Sequence, residues 1–205
     1  MPYIIRPPRL RSTVAACALA LTVGAVPAQA ATSPAKETSQ CKEPLLTQPF
    51  LSFGDSNYYT LAPGQTPGHF EGTGWTLSGG ASVKATTLYN GLPGTVLDLP
   101  SGSKAVSPTF CITKEYPTAR TFVRDLSGSQ GVYLNVSYEG TATWNKPKNT
   151  GQVHGNNTEW TLSTPVNMQP ENVEGWQVVR LTLVPGGTKS DFQLSNLYID
   201  PYVRR

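Results

Sequence analysis

The sequence predicts an all-β fold, and three features carry that expectation. Short runs of alternating apolar and polar residues recur along the chain, Gly, Pro and Asn separate them, and after Cys41 no window holds a sustained 3.6-residue apolar period. In chain order, strands are expected at 57–61, rich in Tyr and Thr, and at 75–83, opened by Trp75-Thr76-Leu77. A third at 95–99 stops at Pro100-Ser101-Gly102, and 109–113 carries Phe110-Cys111-Ile112. A strand is expected at 121–126, and Arg120 just before it shares one face with Phe122 and Arg124. The clearest run is 132–139, where Val132, Leu134, Val136 and Tyr138 share one face and Tyr133, Asn135, Ser137 and Glu139 the other. Strands at 141–145 and 158–163 follow, the second with Trp160 alternating with Leu162 toward the core. The run 177–184 points Val179, Leu181 and Leu183 inward and Val178, Arg180 and Thr182 outward, then ends at Pro185-Gly186-Gly187. The last run, 191–198, begins with Phe192 and Leu194, slips phase at Ser195-Asn196 and resumes with Leu197 and Ile199, as a β-bulge does. Strands at this spacing without intervening helices predict a sandwich or barrel rather than a parallel βαβ sheet.

The chain has 205 residues, with 38% hydrophobic and 14% charged, enough for one domain with its own core. Its formal charge of +3 comes from Arg6, Arg9 and Arg11, because residues 31–205 balance 13 Lys+Arg against 13 Asp+Glu. A sequence-independent nucleic-acid binder needs a surplus of phosphate-neutralising cations, so nucleic acid is not an expected partner. Residues 1–30 combine those arginines with an apolar run over 12–26 and Ala28-Gln29-Ala30, which predicts a cleavable secretory signal peptide and a secreted, extracellular protein. That run is too short to span ~30 Å of hydrocarbon, and no later run approaches ~18 apolar residues, so no transmembrane segment is expected. The organisation read from the sequence is a signal peptide at 1–30, a flexible lead-in at 31–40 and one antiparallel sandwich domain at 41–205, acting as a monomer.

Beyond the signal peptide two cysteines remain, Cys41 and Cys111. An even count in an exported chain favours a disulfide over two buried thiols. A metal site has little to draw on, with His69 and His154 as the histidines and no Cys-x-x-Cys. The bond would pin the start of the domain to the strand around Cys111 and keep residues 41–50 from fraying, with Leu45, Leu46 and Phe50 as their apolar anchors.

Two segments carry a resemblance. Phe70-Glu71 followed by Gly74-Trp75 and Gly79-Gly80-Ala81 resembles the opening of jelly-roll carbohydrate-binding modules, the galactose-binding-domain-like sandwiches. Residues 192–201 (FQLSNLYIDP) resemble their closing strand, which returns to pair near the chain's own start. The chain from residue 31 onward also resembles a group of exported bacterial proteins that share this sandwich. The resemblance implies a jelly-roll fold, a glycan or cell-envelope component as partner, and a structural calcium ion held by a Glu of the opening and an acid of the closing strand. Glu71 matches the first position; where the second is expected stand Ser195 and Asn196, and the first carboxylate after them is Asp200.

No catalytic constellation accompanies the strands. There is no Gly-x-Ser-x-Gly elbow, no His-x-x-x-His and no phosphate-cradling loop, so a non-enzyme is expected. The aromatic residues are more informative. Trp75 and Trp176 sit in apolar patterns and read as core. Trp144 sits beside Asn145, Lys146 and Asn149, and a ring next to amide and ammonium donors suits sugar, whose C–H face stacks while its hydroxyls bind. Packing of Trp144 beneath its own loop is the alternative. The Arg120–Phe122–Arg124 stripe is likewise either a ligand surface or arginine stems lying on a sheet. Composition makes 149–157 a loop. The sequence thus leads to an exported, non-catalytic sandwich that binds carbohydrate or an envelope component. A structural or protein-interaction domain is the second reading, and an extracellular hydrolase the third.

Overall fold

The structure, a computed structural model, describes residues 38–128, 130–140 and 143–202. The expected signal peptide, residues 31–37 of the lead-in and Thr141 and Ala142 of the expected strand 141–145 lie outside the described residues.

The described residues form two facing sheets, as the all-β reading requires. The first contains β1 (Thr60–Leu61), β2 (Gln65–Thr66), β3 (His69–Phe70), β5 (Ser82–Thr87), β6 (Pro93–Pro100), β9 (Thr118–Ser127), β12 (Thr161–Leu162), β13 (Val166–Asn167) and β15 (Asp191–Asp200). The second contains β4 (Thr76–Ser78), β7 (Lys104–Val106), β8 (Phe110–Ile112), β10 (Val132–Tyr138), β11 (Lys148–Val153) and β14 (Gln177–Pro185). Pairing is antiparallel apart from β3 against β6. No helix among the described residues is long and apolar enough to cross a membrane.

Side-chain alternation decides which face closes on which. Val132, Leu134, Val136 and Tyr138 of β10, with Val179, Leu181 and Leu183 of β14, meet Leu97, Leu99, Val123, Phe192, Leu194, Leu197 and Ile199 of the first sheet in one core. The apolar phase of β15 survives its slip because the strand bulges: its register with β9 shifts between Ser195 and Tyr198, and Asn196 takes a left-handed φ of 52°. The closing strand returns to the start of the domain, pairing Thr60 with Ile199 and Leu61 with Tyr198.

Several local expectations are corrected. The run 75–83 is two strands, because Gly79 and Gly80 both adopt positive φ and turn the chain between β4 and β5. Of the expected strand 141–145, residues 143–145 lie in no strand; Trp144 forms an isolated bridge to Glu139. Lys148–Val153, polar in composition, is nonetheless strand β11, since β10 offers it a free edge. Trp160 does not reach the main core. Leu162 pairs with Phe122 of β9, which turns Trp160 and Leu162 to the outer face of the first sheet.

That outer face carries a second apolar cluster of Phe50, Tyr59, Phe122 and Tyr198, flanked by Leu61, Tyr89, Trp160 and Leu162. Residues 47–59 cross it, closed on themselves by paired backbone bonds between Thr47 and Tyr59. Phe50 sits edge-on to Tyr59, Phe122 and Tyr198, with centroids 5.0, 5.8 and 5.1 Å away. Of the three expected anchors Phe50 is fully buried, while Leu45 is 85% exposed. The segment begins at a disulfide: Cys41 and Cys111 are bonded with Cα atoms 5.7 Å apart, closing a separation of 70 residues.

Candidate functional site

The outward face of the second sheet follows from its register. In β10 and β14, Tyr133 lies opposite Val184, Asn135 opposite Thr182, and Ser137 opposite Arg180. Next door, β11 sets Gln152 opposite Tyr133 and Asn149 opposite Asn135. Directly paired residues share a face, so these side chains form one outward surface, backed by the core residues between them. Trp144 joins it from the turn after β10. Its bridge to Glu139 holds it on the outward side, and the guanidinium carbon of Arg180 lies 4.3 Å from its ring centroid. Ser137, beneath this pair, is 1% exposed, and its hydroxyl has no hydrogen-bond partner among the described residues.

The four residues singled out from sequence divide sharply. Asn145 is structural: its Oδ1 accepts the Tyr138 N–H at 2.6 Å and its Nδ2 donates to Glu171 at 3.0 Å, which holds the turn carrying Trp144. Asn149 accepts the Gly151 N–H at 2.9 Å where β11 bulges against β10. Lys146 is exposed. Trp144 is half-buried and lies on the shared face, which Asn149 also borders. Arg180, Tyr133, Gln152 and Thr182 complete the surface without having been singled out. Their outward phase is legible in each strand, but nothing in the sequence makes β10 and β14 neighbours.

The other arginine stripe is taken up by contacts within the protein. Arg120 donates to Asp55 and to the Ser163 carbonyl and lies over the Phe50 ring at 5.3 Å. Burial would raise the Asp55 carboxyl, but the Asn57 N–H, the Tyr59 hydroxyl and Arg120 outweigh it and hold the group below its ordinary value. Arg124 donates twice to Gln193 Oε1, at 3.0 and 2.6 Å, reaches Thr86, and stacks on Trp160 at 4.6 Å. Gln193 passes its amide to Asp98 at 2.8 Å, and Lys84 closes on the same carboxylate at 2.7 Å. Both stems therefore belong to the sheet's own packing. Trp75 is core, 8% exposed, whereas Trp176 is half-buried and edge-on to Tyr202.

The donor set does not fit calcium. The ion prefers six to eight oxygens with several carboxylates. Glu71 is exposed and accepts from the Thr66 hydroxyl at 2.9 Å. Asp200 accepts the Tyr202 N–H at 3.2 Å, and burial pushes its carboxyl up to about 6, with Asp55 adding to the rise. The two share no partner, and among the described residues no three His, Cys, Asp or Glu side chains come together. Asn196, where the resemblance expects an acid, joins the opening to the closing strand by hydrogen bonds to Gly68 and Thr66.

A cleft of about 280 Å³ opens away from this face, beside the disulfide. Pro44, Leu61, Ala62, Phe110 and Ile199 give it mainly apolar walls, with Lys42 at its rim.

No protein-family model matches the chain, and no curated protein matches it. Solved structures do. The chain is similar to the CBM22-1 xylan-binding domain of Paenibacillus barcinonensis Xyn10C, with 14% identity and a TM-score of 0.43 over 70% of this chain and 91% of that one. It is similar to TmCBM61, solved with β-1,4-galactotriose, at 11% identity and a TM-score of 0.34 over 63% and 92%. It is also similar to part of the MgGH51 α-L-arabinofuranosidase, at 16% identity and a TM-score of 0.39 over 73% of this chain and 28% of that one. None of these likenesses assigns a role to a residue here.

Proposed function

We propose that the protein is an exported, non-catalytic sandwich that binds a carbohydrate or cell-envelope component on the outward face of its second sheet. The observation that carries this reading is the placement of Trp144 and Tyr133 on one face, with Asn135, Thr182, Gln152 and Arg180 beside them. Aromatic rings take the C–H face of a pyranose, and amides, hydroxyls and a guanidinium take its oxygens. The Cys41–Cys111 bond supports an oxidising, extracellular setting.

Binding to an array of plant, algal and bacterial envelope glycans tests the proposal. Trp144→Ala and Tyr133→Ala are each expected to weaken binding by about tenfold or more, on the scale of a lost stacking contact. Absence of binding to every glycan, or binding indifferent to both changes, would remove this face as the site.

A further inference from the structure

Three arginines are described, and two of them are fully engaged. Arg120 holds Asp55 and a carbonyl, and Arg124 holds Gln193 and Thr86. Arg180 differs: among the described residues its guanidinium makes no hydrogen bond and no ion pair, although it is half-buried in the middle of β14. Glu139 faces the same side and does not pair with it.

A half-buried guanidinium has given up part of its hydration, and among the described residues no counter-charge replaces it. Among the described residues its guanidinium lies over the Trp144 ring, 4.3 Å from the centroid. That contact fixes the plane of the fork while leaving its N–H edges free for a ligand. Opposite it stands the Ser137 hydroxyl, buried and unpartnered. Farther along the face, on the neighbouring β7, Lys104, exposed and without an ion pair among the described residues, lies about 13 Å away along the strand direction. Thr182 of β14 lies between the two cations, and Asn135 and Tyr133 of β10 flank β14 on its other side.

Resting on the reading above, we infer that the ligand is an acidic glycan, one whose sugars carry carboxylates, and that Arg180 receives a carboxylate through its paired N–H groups. A planar carboxylate matches the guanidinium fork, whereas a neutral sugar leaves the charge uncompensated. Arg180 is then the residue that separates uronate-bearing chains from neutral ones, and Trp144 both stacks on the sugar and orients the arginine.

Calorimetry with oligogalacturonides, oligoalginates and glucuronan fragments, each beside its fully methyl-esterified form, tests the inference. At least one acid form should bind about tenfold or more tighter than its ester, which keeps the sugar and loses the charge. Arg180→Gln should erase that preference. Arg180→Lys should not restore it, because an ammonium keeps the charge without the fork. Glu139→Gln should tighten acid binding. Unchanged thermal melting would show that each variant folds. Equal binding of acid and ester, binding of neutral or sulfated glycans alone, or full activity in Arg180→Lys would overturn the inference while the carbohydrate reading stands. Absence of binding to every glycan would overturn both.

Discussion

Asn196 accepts the Gly68 N–H at 2.9 Å across 128 positions of sequence. Its amide also donates to the Thr66 carbonyl at 3.0 Å. Gln65 works from the other side, taking the Leu197 N–H at 2.9 Å and donating to the Ala62 and Leu197 carbonyls. Two amides therefore stitch the β2–β3 hairpin to the bulge of β15, and they satisfy backbone groups that the bulge removes from the ladder.

Asn196→Ala should destabilise the domain by about 2–4 kcal/mol, through two lost buried hydrogen bonds and a left-handed backbone that alanine tolerates poorly. Asn196→Gly loses the same bonds without the backbone strain and should cost less. Urea unfolding of both variants checks the order; equal losses would mean that the backbone conformation contributes nothing.

Asp200 gives the stability a pH dependence of known sign. Its carboxyl is raised from 3.8 to about 6, chiefly by burial and further by Asp55, against a lowering bond from the Tyr202 N–H. The folded state therefore holds this proton more tightly than the unfolded one. The contribution is complete below about pH 3.8 and is lost as pH rises through about 6. Asp200→Asn should flatten the stability profile between these values relative to the parent; parallel profiles would refute the assignment.

The aromatic cap depends on Asp55. This carboxylate receives Arg120 and, at 2.7 Å, the Tyr59 hydroxyl. Asp55→Ala strands a nearly buried arginine and should cost about 1–3 kcal/mol. Hydrogen exchange should quicken in residues 47–59 before it does in β10 or β14. Phe50→Ala, at a fully buried ring, should cost about 3–5 kcal/mol and expose the same segment. Uniform quickening through both sheets would show that the cap is not a separate unit.

The disulfide closes a 70-residue separation, which on the chain-entropy model stabilises by about 4 kcal/mol. Protein lacking residues 1–30 should show no thiol under denaturing conditions. Cys111→Ser should lower the melting temperature by several degrees, about that expected for a loss of this size. Two titratable thiols in protein recovered from an oxidising compartment would contradict both the bond and the case for export.

Much of this was legible in the chain. Period-two alternation set the inward and outward sides of β10 and β14, since the geometry of a strand admits no other pattern. The phase slip at Ser195-Asn196 announced the bulge, and the cysteine count led to the bond. What Asn145 and Asn149 bind inside the protein was not legible, because an amide beside an aromatic ring looks the same whether it faces a sugar or its own backbone. Their nearby N–H groups, at Tyr138 and Gly151, took them first.

Tertiary structure decided what stands beside what. Arg120, Arg124 and Arg180 are alike on an outward strand face, yet the first two meet Asp55 and Gln193 and the third lies over the Trp144 ring. Trp160 alternates as a core residue should, but the pairing of β12 with β9 placed it on the opposite side of the sheet. Alternation is a property of a single strand, fixed by its own backbone. A neighbour is chosen by register and sheet order among segments tens of residues apart, and so the face that unites Trp144 with Arg180 exists only once β10 and β14 have paired.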